Sequence, residues 1–168
     1  MNKPIAIVVA LLLAGCATQQ PQNAEEFRKA VPGAFMAGVE ELTVDRPLRE
    51  VAAAFQRRAP ECLNVKVRTT SQSSTSYQVI VAAYKPTVIV TKERVELHVQ
   101  RDFERGVVKV GNMPEGGYYL VVADAFPEGS RTRLKIYGPT RGHDVLIRAI
   151  KGWASGETTG CPDMTKIG

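Results

Sequence analysis

Two periodicities divide the chain. Leu48, Val51, Ala52 and Phe55 recur at i, i+3, i+4 and i+7, which places them on one helical stripe, with Arg49, Glu50, Arg57 and Arg58 on the other side. Asp45 is placed to cap this helix, Pro47 suits its first turn, where a missing amide hydrogen has no partner to lose, and Pro60 is expected to stop it. Leu146, Ala149, Ile150 and Trp153 form a second stripe over residues 142–155, opposed by Arg148 and Lys151 and ended by Gly156. Between these helices the period falls to two. Leu63, Val65 and Val67 alternate with Asn64, Lys66 and Arg68, and Val95, Leu97 and Val99 alternate with Glu96, His98 and Gln100. Such alternation predicts antiparallel strands with one dry and one wet face, so His98 reads as pointing to solvent.

Further strands are predicted over 39–44, 77–84, 107–110, 118–126 and 131–137, with Pro86 breaking the second and turns at Gly116-Gly117 and residues 127–129. Residues 69–76 hold no apolar side chain and read as a solvated loop, in which Ser71 to Ser76 could equally form a partner contact. Asn23 is placed to cap a short helix over 24–31, with Glu25 and Glu26 favouring its N-terminal dipole and Pro32-Gly33 ending it. The order predicts an α+β fold: a twisted antiparallel sheet covered on one face by two long amphipathic helices, with Phe55 and Trp153 in the core and the face of Glu96, His98 and Gln100 left bare. This order is similar to the helix-grip arrangement of START-like proteins.

The N-terminus carries an address. Lys3 precedes an uncharged apolar run from Ile5 to Ala14, ten residues where a bilayer-spanning helix needs about twenty, so the run reads as a secretory signal. It ends in Leu13-Ala14-Gly15-Cys16, which resembles the lipobox of bacterial lipoproteins. The resemblance implies that residues 1–15 are a signal peptide, that the Cys16 thiol receives a diacylglycerol and its new amine an acyl chain, and that residues 16–23 are a lipidated tether. Residues 24–168 would then be one α+β domain facing the periplasm. Each buried methylene contributes about 0.8 kcal/mol, so two or three acyl chains hold a protein on a bilayer where one would not. The plain alternative is ordinary cleavage near Ala17, leaving a soluble periplasmic protein. Ala17 stands where lipoproteins kept at the inner membrane usually carry aspartate, which points to the outer membrane. With Glu26-Phe27-Arg28, and an ending that runs from Tyr137-Gly138 through Trp153-Ala154 to Cys161-Pro162, the chain resembles small proteobacterial envelope lipoproteins of no assigned activity.

At 44% hydrophobic and 23% charged, the composition suits one packed domain. Losing residues 1–15 removes Lys3 and no acid, so a formal charge of +5 becomes +4. Acids and bases alternate, as in Arg101-Asp102-Phe103-Glu104-Arg105, so the concentrated basic stripe that nucleic-acid binding needs is missing. Beyond Cys16 two cysteines remain, Cys62 and Cys161, an even number in an oxidising compartment, which predicts one disulfide; two separate buried thiols are the alternative. His98 and His143 are isolated and no Cys-x-x-Cys or His-x-x-x-His spacing occurs, so no metal site is predicted.

No nucleophile stands beside a base, and no Gly-x-Ser-x-Gly, Ser-x-x-Lys, P-loop or dinucleotide-binding pattern occurs, so no catalytic residue and no cofactor is predicted. Asp144 at a helix start is explained by the dipole and His143 by capping. The leading expectation is a lipid-anchored, non-catalytic protein of the cell envelope that binds another envelope component. The second is a carrier of a small apolar ligand in a groove between helix and sheet, lined by Phe55, Leu97, Val99, Leu120, Val122, Leu146 and Trp153, which could equally be plain core.

Overall fold

A computed structural model describes residues 20–105, 112–158 and 160–167. Helix α1 (Ala24–Ala30) runs into a 3-10 turn, Val31–Gly33, and leads to strand β1 (Ala37–Val44). Helix α2 (Leu48–Leu63) then crosses to strands β2 (Lys66–Gln72), β3 (Tyr77–Val90), β4 (Val95–Arg105), β5 (Tyr118–Glu128) and β6 (Arg131–Pro139). Helix α3 (Asp144–Ser155) and a 3-10 turn, Met164–Lys166, follow. All six strands form one antiparallel sheet in the order β1-β6-β5-β4-β3-β2. The connection from β1 to β2 therefore joins the two outermost strands, and α2 carries it across the sheet.

The apolar stripes of α2 and α3 pack on the same sheet face. Phe55 and Trp153 share a buried cluster with Val95, Leu97 and Val99 of β4, Val121, Ala123 and Ala125 of β5, and Leu134 and Ile136 of β6. Gly156, at φ 85°, closes α3 in the left-handed conformation that glycine adopts without steric penalty. Cys62 near the end of α2 is bonded to Cys161, with Cα atoms 5.0 Å apart and 99 positions between them in sequence, so the end of α2 is tied to the tail beyond α3.

The expectation of two long helices as the cover of one sheet face, with the helix-grip likeness drawn from it, is corrected. The six-stranded sheet dominates, with strands of up to 14 residues, and the helices number three among the described residues and are short, at 7, 16 and 12 residues. Cross-strand pairing recruits polar segments read as loop. Residues 69–72 belong to β2 and pair with β3, because threonine suits a pleated strand once a partner is present. Pro86 does not break β3 either. The Tyr84 amide donates to the Val65 carbonyl on the β2 side; two residues on, the Pro86 nitrogen points the same way, past the start of β2, where no described strand needs a donor.

Helix boundaries need smaller corrections. Pro60 lies inside α2, on its exposed side, and the helix continues because Cys62 and Leu63 are buried beyond it; Leu63 thus closes the helix instead of opening a strand. Asp45 does not cap α2, whose N-cap position is Pro47. The bend into the helix is held by the Thr132 hydroxyl, which donates to the Arg46 carbonyl at 2.7 Å. The largest correction concerns the face read as bare. Helix α1 lies on it, packing Ala24, Phe27 and Val31 against Val122 and Tyr137, so Glu96, His98 and Gln100 are buried. The strand predicted at 107–110 lies outside the described residues.

Candidate functional site

Three features come together around β1 and the helix that precedes it. The first is an apolar strip. Residues 34–36 turn tightly into β1, where the Ala37 amide donates to the Ala34 carbonyl at 3.3 Å and the Thr140 amide to the Met36 carbonyl at 2.8 Å. Met36 takes φ 55°, a left-handed conformation that a side chain other than glycine adopts at a steric cost. The result is that Phe35 is 90% exposed, Met36 48% and Val39 41%. β1 is a terminal strand, so its outer backbone edge is unpaired among the described residues. Its second half carries charge: Glu40 pairs with Lys151, and Glu41 with Lys135 at 3.0 Å and Arg133 at 3.6 Å. Charged side chains discourage edge-to-edge pairing, so the unguarded apolar part is confined to the start of the strand.

Beside that strip, Gly38 of β1 and Gly138 of β6 are register partners beneath α3, and neither supplies a side chain. They leave an open groove of about 370 Å³, with Ile136 and Ile147 on its apolar part and Glu40, Asp144, Arg148 and Lys151 at its charged margin. The apolar residues weighed as a ligand lining, Phe55, Leu97, Val99, Leu120, Leu146 and Trp153, lie elsewhere, in the filled main core, while Val122 packs under α1.

The third feature is a buried ionic cluster beneath α1. The Arg28 guanidinium donates through Nε and Nη2 to both carboxylate oxygens of Asp124, each at 2.7 Å, and through Nη2 to Glu96. His98 Nε2 donates to Glu96 Oε2 at 2.9 Å, and Arg94 lies 2.6 Å from the other Glu96 oxygen. Burial alone would raise the Glu96 carboxyl, but hydrogen bonds from His98 and Arg28 and the charges of Arg28 and Arg94 outweigh it, holding Glu96 below the ordinary carboxylate range. Burial likewise disfavours the Arg28 cation, yet its two carboxylate partners raise its pKa overall. With Asp124 only 1% exposed, this pairing supplies most of what the polar sheet face needs in place of water. It fastens α1 to the sheet. No local pattern announced it, since Arg28 stands 68 positions from Glu96 and 96 from Asp124.

Other residues singled out in the sequence are placed as follows. Cys16 lies outside the described residues, and Cys62 and Cys161 form the disulfide. His143 occupies the N-cap position of α3, where its carbonyl accepts from the Leu146 and Ile147 amides at 3.0 Å, but its side chain makes no cap bond: it is buried, its Nδ1 is 3.2 Å from the Arg141 carbonyl, and its Nε2 has no hydrogen-bond partner among the described residues. Burial, aided by the nearby Arg101 charge, lowers the His143 pKa and so favours the neutral ring. Asp144 occupies the first turn of α3, as its dipole role requires. Of the serine-rich stretch only residues 73–76 form a turn, closed by the Ser76 amide donating to Ser73 Oγ at 3.1 Å. Among the described residues no three His, Cys, Asp or Glu side chains are grouped to hold a metal ion, and no helix is long and apolar enough to cross a membrane. Compared with known proteins, the chain matches no protein-family model and no curated protein sequence.

Proposed function

We propose that this chain is a lipid-anchored, non-catalytic protein of the cell envelope that presents the start of β1 to another envelope component. The observation that carries this reading is the exposed strip of Phe35, Met36 and Val39 beside a strand edge that is unpaired among the described residues, in a domain whose other large apolar side chains are mostly packed. A held backbone conformation that costs energy at Met36 supports the same reading, because strain persists where the surroundings enforce it and clusters at sites of function. The lipobox ending in Cys16 supports anchorage. A photo-reactive amino acid at Val39, in intact cells, is expected to yield a discrete adduct with an envelope component, while the same probe at Val90, comparably exposed at the other end of the sheet, yields none. Equal labelling from both positions would contradict the proposal.

One observation favours the carrier reading, the glycine-floored groove beneath α3. It is the weaker of the two because the groove is open and charged at its margin, whereas an apolar ligand needs an enclosed, mostly apolar lining.

A further inference from the structure

We infer that the component facing Phe35 and Met36 is the bilayer that holds the anchor: the end of the domain bearing them lies on the membrane, with both side chains in the interfacial layer. This rests on the anchorage proposed above and deepens it. The argument begins with chain length. Cys16 and Gln22 are six positions apart, which an extended chain spans in about 20 Å. A domain of this size is about 40 Å across. A tether shorter than the domain forces the end it leaves from to face the membrane.

Where the tether leaves is visible. The Gln22 side chain donates to the Asn112 carbonyl at 2.8 Å, in the connection that leads into β5 at Tyr118. Phe35 and Met36 lead into β1 at Ala37, which pairs with Pro139, the last residue of β6, and β6 lies between β1 and β5. The tether exit and the apolar strip are therefore at the same end of the sheet, where β5 begins and β6 ends. Arg141 adds a cation at the strip. It follows Thr140, whose amide holds the Met36 carbonyl, and it is exposed and makes no ion pair among the described residues. An exposed aromatic and a thioether, with an exposed guanidinium on the residue next to the one that bonds Met36, suit the boundary between acyl chains and anionic headgroups.

The test uses the lipidated full chain, reconstituted in vesicles of phosphatidylethanolamine and phosphatidylglycerol with and without brominated acyl chains. Bromine quenches tryptophan only at contact, and the native Trp153, 1% exposed, gives a constant background that wild-type protein measures. Phe35→Trp is expected to lose roughly half its added fluorescence, because an interfacial side chain lies about 5–10 Å into the headgroup and acyl boundary; Val90→Trp is expected to lose none. Phe35→Trp quenched no more than Val90→Trp, in protein that still floats with the vesicles, overturns the inference and leaves anchorage standing. A photo-reactive residue at position 35 that joins a protein in cells, with no quenching in vesicles, overturns it in favour of a protein partner at that spot. Wild-type protein that fails to float with vesicles overturns both the anchorage and the inference.

Discussion

Taking away the Arg28 guanidinium leaves Glu96 and Asp124 buried under α1 without the cation they share, and breaking a buried ion pair from one side typically costs about 3–5 kcal/mol because the orphaned charge stays desolvated. Arg28→Met, which keeps the stem, is expected to lose stability in that range in urea unfolding. The pH dependence follows from Glu96. Its pKa is lower folded than unfolded, so its contribution is fully present above the unfolded value of about 4.3 and disappears as pH falls through the folded one. The part of wild-type stability that Glu96 supplies should therefore hold to about pH 4, below the earlier loss that the lowered His143 pKa brings as pH falls past about 6.5, and the Glu96 part should be lost at higher pH in Arg28→Met, where burial is opposed by fewer partners. Trp153 tests the opposite face. It is buried between α2 and the sheet with the Arg58 guanidinium 6.0 Å from its ring, and Trp153→Ala should cost about 3–5 kcal/mol by the same measurement. A loss under about 1 kcal/mol would mean that the ring does not pack as described.

At the scale of elements, what could be read in the sequence was whatever repeats. The stripes of α2 and α3 and the alternation of β4 are periodic and form where their patterns lie; the Gly116-Gly117 turn is a local signal and also forms, while the turn read at 127–129 begins only at Gly129, because Pro127 and Glu128 pair with β6. What could not be read depends on neighbours. Residues 69–72 are strand because β3 lies beside them, Pro86 is tolerated because β2 starts too late to meet it, and Pro60 sits in a helix whose next turn is pinned by Cys62 and Leu63. The wet face of β4 was the instructive failure. Polar alternation signals a surface unlike the core, and a short helix carrying one arginine suffices to bury it. That helix has its own start signal: Asn23 Oδ1 accepts from the Glu26 amide at 2.9 Å while the Glu26 carboxylate accepts from the Asn23 side chain and the Gln22 amide. Asn23→Ala should cost about 1 kcal/mol, seen as faster amide exchange in α1 while β5 and β6 keep their protection.

For the whole molecule, the disulfide is the one long-range constraint that cysteine count alone foretold. Closing a loop of 99 positions, it restricts the unfolded chain and contributes about 4–5 kcal/mol on the chain-entropy account, so reduction with denaturant present should lower the unfolding midpoint markedly, and unreduced exported protein should show no free thiol at Cys62 or Cys161. The candidate site was less legible than the fold. Phe35 and Met36 belong to no periodic run, and only their place beside a terminal strand and a tight turn gives them meaning. The resemblance of Leu13-Ala14-Gly15-Cys16 to a lipobox was legible because it is a local pattern, and the proposed account of a domain acting from a bilayer depends on it most. The direct measurement is fractionation of cells expressing wild-type protein and Cys16→Ser, followed by a high-salt wash of the membranes. The account predicts that wild-type protein stays with the washed membranes and that Cys16→Ser appears in the soluble fraction; equal retention of both would contradict it.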